Sequence, residues 1–540
     1  MKRKLLGIVI ILFLCHINAQ AQSNYLPYAY QFYQKLDSSV YSNKSRFHSS
    51  MKPFLVDDTL ISRQYQSLMN AGVDSISKRS WLHRKIFNEH LVDIKEKGFT
   101  AYVDYLPDLT LGRDFSNSKT TWLNTRGYQV GGTIGSKFSF YTSGYENQAV
   151  FADYVDKYIN RTANSVIYIV PGQAYDRSFG KRIRDWSYST ALLSYTPVKY
   201  LNIALGQDKT FIGDGYRSVL LSDFASNYPF LKLTGTLGNV RYMAMWAYMQ
   251  DPTAPKFSYQ DDYRRKWGVF HYLDWNVSNK VSLGFFDSII WGDKDEAGNK
   301  RGFDFNYGNP LIFLRPLEAN NGSGDNALIG FTGKYKFVDK AAVYGQFALD
   351  EFVAKDFFSN TGSIRNKYAW QLGTRGADLL GVKRLNYLLE FNNAKPYTYS
   401  EVVQIINYSQ NTEPLAHPFG ANFREVVGIL NYAIGRFNFY GQGEFGHYGL
   451  DATLSDNYGK DIFKPYDQGT NPTGNYTGQG LTTNLYYGEG RVSYILNPKY
   501  NLRLEVGGIL RHEANAQTIS NTAMFTFGLR SSFRNLYYDF

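Results

Sequence analysis

From about residue 100 onward, hydrophobic and polar residues alternate in segments of roughly ten residues, the length with which a tilted β-strand crosses a membrane. Within residues 435–447, Phe437 and Phe439 share one face with further apolar residues, while amide and charged side chains occupy the other. Successive side chains of a strand point to opposite sides of its sheet, so this alternation predicts a strand between an apolar and a polar environment. Residues 384–392 and 499–511 repeat the pattern.

The connections between these segments are alternately short and long. The short ones carry the Gly, Asn, Asp and Pro residues that tight turns require, and they lie at 196–198, 237–239, 277–279, 338–340, 380–381, 434–435 and 496–498. The long ones lie near 145–185, 208–229, 250–264, 291–326, 351–366, 394–421 and 448–481. Counting strands between the gaps predicts about 18 strands, from near Thr100 to Phe533 or later.

This pattern of amphipathic segments joined by alternately short and long connections predicts an all-β fold. We expect a transmembrane antiparallel β-barrel of about 18 strands with a small N-terminal helical periplasmic element. The short turns should face the periplasm, and a barrel of this size is wide enough for an aqueous lumen. Leu536, Tyr538 and Phe540 alternate in a way that predicts an amphipathic last strand. Aromatic residues make up 17% of the chain, with 45 Tyr and 38 Phe, which suits the aromatic girdles of such barrels.

The first 21 residues have the pattern of a secretion signal. Basic residues 2–4 precede an apolar run that is too short to span a membrane, and residues 19–21 supply the small side chains that a signal peptidase needs. Cys15, the single cysteine, lies in this segment, so we expect no disulfide and no thiolate metal site in the mature protein.

Residues 22–99 predict a periplasmic, partly helical segment that could plug the lumen of a barrel formed by residues 100–540. Helical spacing of apolar residues predicts one helix over 81–97 and another over 61–76. His83 and His90 are seven residues apart and could share a helix face. We favour packing of this helix on the barrel over metal ligation and expect no metal site.

Charge and motifs exclude other function classes. The formal net charge is +11, but the basic runs 181–184 and 264–266 flank strands of a secreted protein, so we expect them to face lipopolysaccharide, an acidic polymer or water rather than nucleic acid. The chain has no G-x-S-x-G elbow, P-loop, H-E-x-x-H or EF-hand motif. Pairs such as Glu444 with His447 lack the third member of a catalytic set, and we expect neither an enzyme nor a cofactor.

One long loop carries a motif. Its residues 213–229 read Gly-Asp-Gly-Tyr-Arg-Ser-Val-Leu-Leu-Ser-Asp-Phe-Ala-Ser-Asn-Tyr-Pro. This stretch resembles the G-x-G-x-x-S-L-[IL]-L-S-x-N-A-x-x-[YF]-P pattern of the capsule-assembly Wzi family, with Val219 in place of a Leu and Phe224 in place of the Asn. A second likeness is 306–310, followed by Arg315 and Glu318. Residues 81–91 and 533–540 are similar to a gliding-motility variant of the family, the RemB-like proteins.

The resemblance implies a barrel of the outer membrane that holds or organises surface polysaccharide, with outer-membrane lipid and lipopolysaccharide around it. We therefore predict a non-enzymatic protein that binds or anchors exopolysaccharide or capsule and has a possible link to gliding. The predicted ligand-binding or plug-shaping residues are Asp214, Tyr216, Arg217, Asp223, Asn227, Arg315 and Glu318. Two alternatives stay open: a porin-like transport channel, and a structural partner of secretion or motility components.

Overall fold

The computed structural model describes residues 24–56, 59–73, 79–161, 167–311, 313–321, 324–351, 354–358, 361–531 and 533–540. The predicted secretion signal lies outside the described residues.

The described residues form a closed antiparallel barrel wall of 18 strands, which confirms the predicted fold class. In chain order, β1 to β18 are Phe99–Asp114, Lys119–Ile134, Phe138–Val150, Arg184–Val198, Leu201–Asp208, Tyr228–Leu237, Val240–Asp251, Arg264–Trp275, Val281–Gly292, Asn326–Val338, Ala341–Glu351, Lys367–Gly376, Leu385–Ala394, Phe423–Ile434, Phe437–Leu450, Leu481–Asn497, Leu502–Ala514 and Ile519–Arg530. Each strand pairs with its neighbours along the chain, and β18 closes the wall by pairing with β1 in the register Met524↔Asp114 to Leu529↔Leu109.

The remaining described elements are short. The α-helices α1 to α7 are Tyr30–Gln34, Asp37–Val40, Thr59–Met69, Trp81–Phe87, Asp153–Ile159, Leu314–Asn321 and Ala354–Phe358. The 3₁₀ turns are Phe305–Gly308, Leu379–Gly381, Gln404–Ile406 and Pro498–Tyr500. The strands outside the 18 are Asn24–Tyr25, Met51–Lys52, Leu55–Val56, Val92–Glu96, Phe211–Ile212, Ser409–Gln410 and Glu413–Pro414.

Short and long connections segregate to opposite ends of the barrel, as the sequence predicts. At one end, which we call the short-turn end, β6 and β7 are joined by residues 238–239 and β14 and β15 by residues 435–436. The opposite, long-loop end carries connections such as 395–422 and 451–480. Two hairpins at the long-loop end depart from the rule, because β1–β2 and β17–β18 are joined by four residues each.

The wall presents an apolar outer face and a polar inner face. In β15, Phe437, Phe439 and Phe445 are exposed, whereas the alternating residues Gln442 and Glu444 are buried in the lumen. This is the alternation expected where every other side chain contacts hydrocarbon. No helix within the described ranges is long and apolar enough to cross a membrane.

The lumen is filled by the protein's own chain. We call the four segments that fill it the plug, namely residues 24–56, 209–227, 395–422 and 533–540. Residues 24–56 occupy the short-turn half, where Ser42 bonds Asp339. Residues 395–422 occupy the long-loop half, where the Lys266 ammonium donates to the Asn407 carbonyl at 2.9 Å. Most plug residues are buried, so the lumen is a packed interior instead of an open pore.

The helices before the barrel are shorter than predicted. Helix α4 ends at Phe87 because residues 92–96 form a strand that pairs with Phe99–Val103 at the edge of β1. Gly98, directly after the predicted helix, makes the turn into β1 with a φ of +79°. In the predicted helix over 61–76, the described helical part is Thr59–Met69, and residues 74–78 lie outside the described ranges.

His83 and His90 do not come together on one helix face. The His90 ring nitrogen lies 2.7 Å from Asp104 on β1, while the His83 ring packs against Phe87. Among the described residues, no group of three or more His, Cys, Asp or Glu side chains is placed to hold a metal ion.

The predicted last strand is wrong. Wall strand β18 ends at Arg530. Residues 533–540 form no strand and lie inside the lumen. The alternation has another cause. Asn535, Tyr537 and Asp539 bond the loop 209–227, while the intervening Leu536 and Tyr538 pack in a different cluster, with the Tyr538 ring 6.3 Å from that of Phe151. An extended segment between two unlike surfaces shows the same period as a strand at a membrane.

A charge on the outer face tests the orientation of the wall. Leu389 lies on the outer face of β13 and is 54% exposed. We expect Leu389→Arg to lower the free energy of unfolding by about 2–4 kcal/mol in lipid vesicles, because the guanidinium must enter hydrocarbon. Urea unfolding followed by tryptophan fluorescence measures the change.

Leu454→Arg is the control, because Leu454 is 91% exposed in the loop 451–480 and should change the free energy by less than about 0.5 kcal/mol. Equal losses for the two variants would contradict the assignment of the outer face to lipid.

Candidate functional site

The loop between β5 and β6 folds inward and meets the wall at two glycines. A Cβ atom at Gly213, whose φ is +133°, would clash with the Gln346 side chain, and one at Gly215 would clash with the Glu390 carboxylate. The absence of side chains at both positions lets the loop backbone approach the lumen wall, which is the usual reason for glycine at a close contact.

Arg217 lies at the centre of a buried charge cluster. Its guanidinium is 3.1–3.2 Å from three carboxylates, those of Glu425, Glu444 and Asp539. The Glu425 carboxylate also lies 2.9 Å from the imidazole of His417. These side chains come from the loop 209–227, from two wall strands and from the plug segments 395–422 and 533–540. The Arg217 cluster therefore connects these parts of the chain.

The backbone of the same loop is held by a second carboxylate. Glu390 on β13 accepts hydrogen bonds from the backbone N–H groups of Tyr216, at 3.0 Å, and Arg217, at 3.1 Å. The Tyr344 hydroxyl donates to the same carboxylate at 2.7 Å. A buried carboxylate with several donors is a strong and geometrically specific anchor.

Asp214 connects the loop to residues 24–56. Its carboxylate accepts hydrogen bonds from the hydroxyls of Tyr41, at 2.9 Å, and Ser50, at 2.7 Å, and Lys334 lies 3.6 Å away. Burial is the largest influence on the pKa of Asp214 and raises it, but the two nearby ammonium groups and the serine hydroxyls together bring it well below its usual value. Lys334 lowers the pKa of Asp214 more than Lys52 does, and burial lowers the pKa of Lys52 itself to about 7.

Two further contacts complete the plug. Arg375 on β12 makes a bidentate pair with Asp37 at 2.8 and 2.9 Å. Asp223 accepts hydrogen bonds from Asn535, at 2.6 Å, and from the Tyr537 hydroxyl, at 2.7 Å. The Ser222 N–H also donates to the Leu415 carbonyl at 2.7 Å, so the loop 209–227 contacts each of the other three plug segments.

The structure divides the predicted site residues into three places. Asp214, Tyr216, Arg217 and Asp223 come together inside the plug, where each is at most 6% exposed. The loop starts and ends at the long-loop end but folds back into the lumen, so these four side chains do not lie at the surface. They bind other parts of the chain, and direct contact with a ligand stays a prediction.

The other three predicted residues lie elsewhere. Asn227 is half-buried at the long-loop rim. Arg315 and Glu318 lie on helix α6, whose Leu314 packs on Val269 and Ile289 of the outer wall face. The Arg315 side chain is exposed, and that of Glu318 lies outside the described side chains.

Asn227 lines a depression that the sequence analysis missed. Two adjoining cavities of about 570 and 430 Å³ lie at the long-loop end and share Tyr248, Tyr263 and Arg265 in their walls. We call them together the rim groove. The groove lies over the rim of the wall: the outward-facing Tyr248 and Gln250 line one side of it, and the lumen-facing Met249 and the plug hairpin tip line the other.

A wall of 18 antiparallel strands with a lumen filled by the same chain defines a plugged transmembrane β-barrel. No family model and no curated protein sequence matches the chain. Among solved structures it is similar to Wzi of Escherichia coli, an outer-membrane protein involved in group 1 capsule assembly and described as a carbohydrate-binding β-barrel. The TM-score is 0.56 at 13% identity, covering 94% of this chain and all of Wzi.

Porins of the outer membrane match less well. Pseudomonas aeruginosa OprD has a TM-score of 0.43 at 10% identity, covering 82% of this chain and 98% of OprD. Acinetobacter baumannii OccAB2 has a TM-score of 0.42 at 8% identity, covering 79% and 97% of the two chains. At these identities the Wzi likeness establishes the fold.

Removing the central cation of the plug should destabilise the protein. Arg217→Met leaves three buried carboxylates without their shared guanidinium, and breaking such a buried pair costs about 3–5 kcal/mol. Urea unfolding of the purified protein in detergent should show this loss.

Arg365→Met serves as the control, because Arg365 pairs with Glu351 in an exposed position and should contribute less than about 1 kcal/mol. If the Arg217 variant unfolds at the same urea concentration as the control, the plug does not depend on this cluster.

Acid should weaken the protein through Asp214. Its pKa is lower in the folded than in the unfolded state, so it stabilises the fold above its unfolded pKa of about 3.9, and this contribution is lost as the pH falls toward the folded pKa. We expect the stability difference between wild type and Asp214→Asn to shrink between about pH 5 and pH 2.

Unfolding free energies measured across that pH range decide the point, with the exposed Asp467→Asn as the control. A difference that does not change with pH would show that the Asp214 carboxylate keeps an ordinary pKa.

Proposed function

We propose that this protein is a non-enzymatic β-barrel of the outer membrane that binds or anchors surface exopolysaccharide or capsule. One observation carries the proposal: buried ion pairs and hydrogen bonds hold the plug in the lumen, which leaves the long-loop rim as the surface for a large ligand. The fold shared with the carbohydrate-binding Wzi supports it.

The proposal includes a link to gliding motility. It is supported by the sequence resemblance of residues 81–91 and 533–540 to the RemB-like proteins. In this version, polysaccharide held at the rim gives the cell surface its adhesive contact, and motility or secretion components are further partners.

A transport channel is the second candidate, and one observation favours it. A cavity of about 160 Å³ runs beside residues 535–539 along a charged section of the wall. Its charged side chains are paired with each other, with Arg503 2.9 Å and Arg530 2.7 Å from Glu505. Small ions could cross the lumen by this route if the plug moved.

Two measurements on the purified protein separate the candidates. In planar bilayers we expect no steady openings, because the plug fills the lumen. On an immobilised polysaccharide fraction from the source cells we expect saturable binding. Steady large conductance without polysaccharide binding would overturn the proposal in favour of the channel.

A deletion strain extends the test to cells. It should retain less polysaccharide at its surface and release more to the medium, and complementation should restore both. If spreading on agar is unchanged while retention falls, the link to gliding is wrong and polysaccharide anchoring stands.

A further inference from the structure

The rim groove has the composition of a site for sugars. Aromatic rings of Tyr175, Tyr248 and Tyr263 line it together with the side-chain amides of Gln410 and Asn411. Aromatic rings offer a flat apolar face to the C–H face of a sugar. The two amides are buried and bond Gln250, Asn227 and Ser226, so they fix the shape of the groove. Each of the two cavities has a volume within the range of about 300–1,000 Å³ that is typical of ligand pockets.

The groove is rigidly built. Its floor is the tip of a hairpin from the loop 395–422, in which Ser409–Gln410 pairs with Glu413–Pro414. The backbone N–H of Asn411 donates to the Gln250 carbonyl at 2.8 Å, and the Gln410 side chain accepts from the Gln250 N–H at 2.9 Å. The tip is therefore joined to the top of β7 through its own polar groups.

The backbone of the same tip is strained. Asn411 and Thr412 both have positive φ, +52° and +62°, as a two-residue type I′ turn demands. A β-branched threonine is unfavourable there, and the Arg161 guanidinium holds it by donating to the Thr412 carbonyl at 2.7 Å. Strain that is maintained by surrounding contacts tends to occur at ligand sites.

Arg265 supplies a charged donor at the point where the two cavities meet. It is exposed and uses one N–H group to bond the Gln250 side chain at 2.7 Å. A guanidinium has five N–H donors in a fixed plane, so the group can bind vicinal hydroxyls while it keeps this contact.

We propose that the rim groove binds a short oligosaccharide segment, with Tyr248 and Tyr263 stacked on sugar rings and with Arg265 bound to their hydroxyls. This assignment rests on the proposed function and locates its binding site. The groove lies over the rim at the long-loop end, where two sources of sugar are in reach: a secreted polysaccharide and the core sugars of lipopolysaccharide.

Binding of two probes to the purified protein in detergent tests the proposal. One probe is an oligosaccharide fraction cut from the exopolysaccharide of the source cells, and the other is core oligosaccharide from delipidated lipopolysaccharide. We expect Tyr263→Ala to weaken binding of one probe at least tenfold, Arg265→Gln to weaken it severalfold, and Tyr263→Phe to preserve it. The probe that loses affinity identifies the source.

Tyr259→Ala is the matched control. Tyr259 lies in the same loop as Tyr263, is 98% exposed and lines neither cavity, so affinity should be unchanged. Thermal unfolding of each variant shows that the barrel is intact. If wild type binds a probe and neither Tyr263→Ala nor Arg265→Gln reduces the affinity, the groove is not the site, while polysaccharide binding by the protein stands. If wild type binds whole polysaccharide but neither probe, the groove assignment is wrong in the same way.

Discussion

The buried guanidinium of Arg217 is the constraint on which the rest of the interior depends. Removing a charge from water costs several kcal/mol unless well-placed partners compensate, and here the partners come from different parts of the chain. Glu425 and Glu444 are on adjacent wall strands, whereas Asp539 comes from the far end of the sequence. The loop 209–227 can be buried only when all of these are in place, so the interior forms as one unit.

Most of the wall could be predicted from the sequence, because each strand separates an apolar from a polar environment and carries that difference in every second residue. Phe437 and Glu444 show it within one strand. The alternation of apolar and polar residues does not show whether the polar face contacts water or another part of the chain. Residues 533–540 have the same period inside the lumen, and so the sequence pattern placed them in the wall. The helical spacing of Leu91 and Ile94 predicted that the helix continues to residue 97. Residues 92–96 form a strand instead, because their backbone pairs with β1.

The site was less predictable than the fold. The family-like motif identified the loop 209–227, and its glycines do set a close approach to the wall. The motif says nothing about burial, however, and the partners of Arg217 lie 208 to 322 residues further along the sequence. The rim groove joins Tyr175, Tyr263 and Gln410 from three different loops. Only the three-dimensional arrangement brings such residues together. Of the residues that line the groove, the sequence analysis had singled out Asn227 near the end of the motif.

The contact between residues near the two ends of the described chain has a consequence for biogenesis. The backbone N–H of Tyr30 donates to the Asn535 side chain at 2.8 Å deep inside the barrel, so the first and last interior segments meet within a wall that has no gap. A finished barrel offers neither segment a sideways route in. The Tyr30–Asn535 hydrogen bond can form only after residues 533–540 have been made, so residues 24–56 lack this partner until synthesis of the described chain is nearly complete. Completion of the interior is therefore a late event in the biogenesis of this protein.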